Sequence, residues 1–258
     1  MDQRLRALCD LWMGAAREYT GRHEYDGRIE DLSPEGVRAG LARLGAGPDP
    51  EDPHDRAQLA AFERLVRLEL GELELHRSNP LYHIAAMDVS SYDREYAPAA
   101  ERAEARRRHL AAWPDAVDAA VAALDRVPAP VASSLLGPAK GLTADLDSDG
   151  DPVMERALAA HGRLISHLEA AAAGGPQDVA LGRGPLERLL GTGEAMEVDL
   201  GRLEERADAE RDRLRALLDE ACGRLAPGRP TAYDLADGAK ALAELEARAT
   251  TGKLALVP

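Results

Sequence analysis

The stretch Gly21–Asp31, GRHEYDGRIED, sets an imidazole, two carboxylates and a phenol side by side from His23 to Asp26. A His-Glu pair opens the H-E-x-x-H motif, in which two histidines one helical turn apart hold zinc and the glutamate activates water. The second histidine must stand four residues on, so that both rings leave one helix face. Gly27 occupies that place, and Gly21, Asp26 and Gly27 predict a turn. The stretch is therefore not a zinc motif.

The remaining candidates are weaker. His76 and His83 straddle Asn79-Pro80, and His161 and His167 are spaced so that they sit well apart around a helix. The segment Asp145–Asp151 matches the first positions of a calcium loop, with Asp at one, three and five and Gly150 at six. Its twelfth position is Arg156, where the bidentate Glu belongs, so the acidic residues read instead as a turn capping a helix at Pro152. Gly182-Arg183-Gly184 and Gly191-Thr192-Gly193 follow no strand and make poor phosphate cradles. No G-x-S-x-G elbow is present, and neither cysteine has a suggestive neighbourhood. No residue is assigned a catalytic role, and none a metal.

The elements that must position these groups read as helices. The chain has 258 residues, 45% hydrophobic but only 3% aromatic, with a Leu/Ala-rich apolar set. Leu and Ala form helices well and strands poorly. An all-α, multi-helical array is expected, as a single all-helical domain over 1–258. The net charge of −14 repels a phosphate backbone. The basic run Arg106-Arg107-Arg108, flanked by Glu101 and Glu104, reads as a solvated helix face, so nucleic acid is not expected as a partner. Two distant cysteines, no apolar leader and no membrane-length apolar run predict a reduced, cytoplasmic protein that does not enter a membrane.

Helices are expected from the first residues to near Gly21, from Ser33-Pro34 to Gly45, from about Asp55 to Arg77, and from Pro98 onward. Pro114 is read as starting another, ending at Pro128. Further helices are expected within Pro130–Asp151, over Pro152–Ala173 and over Gly182–Leu190. After Asp199 the longest helix carries Leu200, Leu203, Ala207, Leu214, Leu217, Leu218, Ala221 and Leu225 on one side, and a last helix runs from about Thr231 to Arg248.

The run GRHEYDGRIEDLSPEG resembles a signature of a bacterial family, the domain of unknown function 885 family, through Gly21, His23, Tyr25, Asp26, Asp31 and Ser33. Asn79-Pro80-Leu81-Tyr82, the Arg-rich segment Arg102–Pro114 and the segment Ala180–Leu190 resemble later elements of that family in the same order. The resemblance implies a largely helical, zincin-like metallopeptidase whose zinc motif lies in a C-terminal half. It reaches only the N-terminal half, because the chain stops at Pro258. It thus implies a non-catalytic helical half forming one wall of a cleft, with no cofactor in this chain and zinc only in the absent half. His23, Tyr25 and Asp26 would contact substrate there, or else serve as turn and packing residues. The implied partner is a C-terminal subunit, or a second copy through an apolar helical face. The alternative is a free-standing helical scaffold that has lost catalysis.

Overall fold

In the computed structural model, residues 3–146, 148, 150–225, 233–234, 237–247 and 256–257 are described. Among them are eleven α-helices, with only two two-residue strands: the fold is all-α. Contacts gather the chain into two compact units, Met1–Val198 and Asp199–Pro258, where the sequence marks no boundary.

The first unit begins with α1 (Gln3–Cys9) and α2 (Met13–Thr20), where the sequence predicts one helix. The chain breaks at Asp10–Trp12 because its apolar residues serve two clusters. Leu8 and Leu11 pack with Val37, Leu59, Val66 and Leu70, whereas Cys9, Met13 and Ala16 pack with Tyr25. Leu11 reaches α3 (Pro34–Arg43) at Gly40, where any Cβ would strike the leucine side chain. Ser33 caps α3 as expected: its Oγ accepts from the Gly36 N–H at 3.0 Å.

Helix α4 (Pro53–Val66) continues into a wider π turn, Arg67–Glu72, and stops well before Arg77. Glu74 then takes the left-handed conformation at φ 49°. Arg77 and Arg126 grip its carboxylate at 2.8 and 2.7 Å, which fixes that reversal. Across this layer Arg4 meets Glu63 in a buried two-pronged pair, at 3.0 and 2.6 Å, and so ties α1 to α4.

The main core lies under α6 (Ala99–Ala123), α7 (Ala129–Gly141) and α8 (Pro152–Gly174). Trp113, Val117 and Ala120 of α6 and Leu164 and Leu168 of α8 have no exposure. Pro114 does not start a helix but lies inside α6, correcting the expected boundary. Proline removes one helical N–H and crowds the preceding turn. Packing on both sides of it, by Leu110 and Trp113 before and Val117 and Ala120 after, outweighs that loss. Asp151 caps α8, its Oδ1 accepting from the Val153 N–H at 2.9 Å, which is the capping role the acidic segment suggests. Asp147 and Asp149 of that segment lie outside the described residues. Helices α5 (Leu81–Met87) and α9 (Arg183–Thr192) complete the unit.

The second unit contains α10 (Leu200–Leu225), α11 (Gly238–Glu246), and the strands β1 (Tyr233–Asp234) and β2 (Leu256–Val257), which pair in parallel. Asp199 caps α10 through the Gly201 and Arg202 N–H groups at 2.9 and 3.2 Å. Every residue from Arg202 to Glu220 is exposed, including Leu203, Leu214, Leu217 and Leu218. Thr231, Arg248 and most of the apolar tail fall outside the described residues.

Candidate functional site

Four histidines explain themselves first. His109 Nε2 lies 3.1 Å from the Ala86 carbonyl, in the last turn of α5. His161 Nε2 lies 2.8 Å from the Ala139 carbonyl near the end of α7, and His167 Nε2 lies 2.8 Å from the Leu124 carbonyl just past α6. His83 Nε2 lies 2.9 Å from the His76 carbonyl, in the short 3-10 turn Leu75–Arg77. A carbonyl only accepts, so each Nε2 carries the proton and donates. His83, His109 and His167 thus reach carbonyls at element ends, and His161 adds a second donor to the Ala139 carbonyl, which also accepts from the Leu142 N–H at 3.3 Å. Burial pushes the His83 and His109 imidazoles down, to about 4 and about 3, so both are neutral near pH 7. Among the described residues no group of three or more His, Cys, Asp or Glu gathers that could hold a metal, so they do not fit a zinc site.

The tautomer of His109 determines the support beneath the turn at His23. With Nε2 protonated, Nδ1 accepts, and the Tyr92 hydroxyl donates to it at 3.0 Å. The same hydroxyl accepts from the Gly27 N–H at 2.8 Å. Gly27 has φ +77°, and a Cβ there would come within 2.8 Å of Arg108 Cβ and 3.1 Å of the Ala105 carbonyl. The turn therefore docks directly on α6, at a glycine, through a buried Gly27–Tyr92–His109 chain.

Above that anchor three side chains converge. The His23 ring stacks on the Tyr96 ring, with centroids 4.1 Å apart and planes 5° from parallel. Tyr96 donates its hydroxyl to Asp26 Oδ2 at 2.8 Å. His23 Nδ1 stands 3.4 Å from the same oxygen, an ion-pair distance once the imidazole is protonated. Asp26 Oδ1 is buried without a partner among the described residues. Burial, then the Asp26 carboxylate, raises the Tyr96 phenol, which stays protonated as the donor. The trio opens into a groove of about 620 Å³ on α6, bounded by Glu101, Glu104 and Arg108.

Of the three residues singled out by sequence, His23 and Asp26 meet in this groove. Tyr25 does not join them. It is 1% exposed and packs against Cys9, Met13 and Ala16, with its hydroxyl donating to Asp10 Oδ1 at 3.1 Å. Tyr96 and Arg108 belong to the groove but carried no signal in sequence. Tyr96 lies just before the Pro98 helix, and Arg108 lies in a basic run read as solvated. The groove can orient an imidazole by a carboxylate and offer it, with a guanidinium, to a ligand. Among the described residues its lining contains no serine, threonine or cysteine to act as a nucleophile.

No family model matches the chain, and no curated protein matches it. Among solved structures it is similar to a Shewanella oneidensis protein described as "a putative lipoprotein of unknown function". The TM-score is 0.67 at 16% identity, over 94% of this chain and 51% of that one. The likeness is one of fold, and the chain spans about half the length of the protein it matches. No helix among the described residues is long and apolar enough to cross a membrane.

Proposed function

We propose that this chain is the non-catalytic helical half of a zinc-dependent peptidase or hydrolase. Its groove at His23 and Asp26 forms one wall of a cleft, and a C-terminal half carries the metal. The observation that carries this reading is the lopsided match: nearly the whole chain overlays about half of a longer fold. The resemblance of GRHEYDGRIEDLSPEG to the domain of unknown function 885 family supports it independently. In this reading His23 and Arg108 contact substrate, while Asp26 and Tyr96 position His23. Tyr25 anchors the turn from below.

The test is metal content together with activity. The purified chain alone takes up no stoichiometric zinc and cleaves no peptide. Mixed or co-expressed with a polypeptide bearing the family's zinc motif, it gives peptidase activity that His23→Ala lowers. Tight one-to-one zinc binding by this chain alone contradicts the proposal.

A free-standing helical scaffold is the second reading, favoured by the continuous packed core under α6, α7 and α8. It predicts full stability and a single monomeric species without any partner. A cytoplasmic location belongs to the first reading as proposed here; the lipoprotein description of the similar structure makes membrane anchorage the competing outcome of cell fractionation.

A further inference from the structure

The three consecutive arginines of α6 find three different sets of partners. Arg108 faces the His23 groove, 3.6 Å from Glu104, and Arg107 pairs with Asp151 at 3.2 Å. Among the described residues Arg106 makes no ion pair and no hydrogen bond, and its Nε is buried without an acceptor. Carboxylates outnumber basic groups 46 to 32 in this chain, yet among the described residues Arg106 is the one arginine with a buried side-chain nitrogen that finds no partner.

We propose that the cavity between α6 and the start of α8 binds a small organic anion, held by Arg102 and Arg106. The cavity measures about 320 Å³, near the lower end for ligand sites. Arg102 lines it with its guanidinium fixed by two main-chain carbonyls, Ala97 at 3.0 Å and Tyr92 at 2.6 Å. Those acceptors orient the group without neutralising it. Of the two carboxylates facing the cavity, Asp151 is committed to Arg107 and to the α8 cap. Asp93 alone cannot balance two guanidiniums, so the cavity keeps net positive charge within an acidic protein. Arg106 also borders an adjoining cavity holding Asp88 and Asp145, but neither is close enough to pair with it.

The rest of the lining is apolar, through Leu110, Val153 and Met154. A ligand with a phosphate or carboxylate on a compact apolar body matches both walls. The anion gives Arg106 the acceptor it lacks, and two planar guanidiniums suit the paired oxygens that either group presents.

Isothermal titration of the full chain at constant ionic strength tests this with two probes, phenyl phosphate and benzoate. The expected result is saturable one-to-one binding of at least one probe, weakened tenfold or more in Arg106→Gln and in Arg102→Gln. Arg163→Gln, whose partner is Asp118 on the surface, binds as the wild type does. Tighter phenyl phosphate assigns a phosphate ligand, and tighter benzoate a carboxylate. Because Arg106 bonds to no described residue, Arg106→Gln keeps the fold even if Arg102→Gln does not. The proposal is overturned if neither probe saturates, or if Arg106→Gln binds as tightly as the wild type.

Discussion

Helices α6 and α10 are nearly equal in length, 25 and 26 residues, and both are built mostly from Ala, Leu, Arg and acidic residues. Their fates differ completely. Along α6 the buried face runs through Ala105, His109, Leu110, Trp113, Val117, Ala120 and Ala123, against α8 and α5. Along α10 Leu203, Leu214, Leu217 and Leu218 stay about half exposed, and local pairs such as Arg211–Asp208 at 2.8 Å and Arg213–Glu210 at 2.6 Å brace the helix itself. The difference teaches that an apolar stripe specifies a helix and the face it must cover, but not what covers it. In α6 the cover is within the chain. In α10 the stripe of Leu203, Leu214, Leu217 and Leu218 has the form of a helix–helix seam, which under the proposed function faces the C-terminal half.

The contrast can be broken most sharply at Trp113. Trp113→Ala is expected to cost about 3–5 kcal/mol in urea unfolding, the range for emptying a large buried site. A loss below about 1 kcal/mol would mean the α6 core is not what holds the first unit together.

Acid comes next. In the folded state His109 and His83 are held at about 3 and about 4, below the ordinary value, while the unfolded chain protonates them near pH 6.5. The unfolded state thus binds more protons, and stability present above pH 6.5 is lost as pH falls toward those folded values. Each histidine contributes a slope approaching about 1.4 kcal/mol per pH unit. Urea midpoints measured between pH 7 and 5 should therefore drop steeply, before most carboxylates titrate. A flat profile would place both imidazoles in water.

Tyr92→Phe sharpens the link between core and site. It removes the hydroxyl joining Gly27 to His109 and is expected to cost about 1–3 kcal/mol. It should also loosen the His23 turn, visible as faster hydrogen exchange at Gly27. Unchanged exchange there would separate the groove from its anchor. Smallest of all, Leu217→Ala in α10 should shift stability of the isolated chain by no more than about 0.5 kcal/mol.

Much of this architecture was legible in the sequence, and the failures are instructive. Ser33-Pro34, Asp151-Pro152 and Asp199 announced helix starts because a cap is a local device. Pro114 misled because its local cost is offset by tertiary packing on both sides. The break at Asp10–Trp12 was invisible because it separates two clusters made with distant residues. At the site, His23 and Asp26 stood out by type and spacing, but Tyr96 joins them across 70 residues through a hydroxyl no local pattern reveals. The carbonyl-capping histidines were equally hidden, since each reaches an acceptor in a different element. The divergence of Arg106, Arg107 and Arg108 depends on which neighbours flank α6, and a basic run carries no record of that.

Light scattering after size exclusion, on the wild type and on Leu214→Glu/Leu217→Glu, tests the central claim that α10 presents a face made for another polypeptide. The account predicts that the wild type self-associates as concentration rises, and that the double variant stays monomeric with an unchanged melting temperature. A wild type that remains monomeric throughout, or a double variant that unfolds, would contradict it.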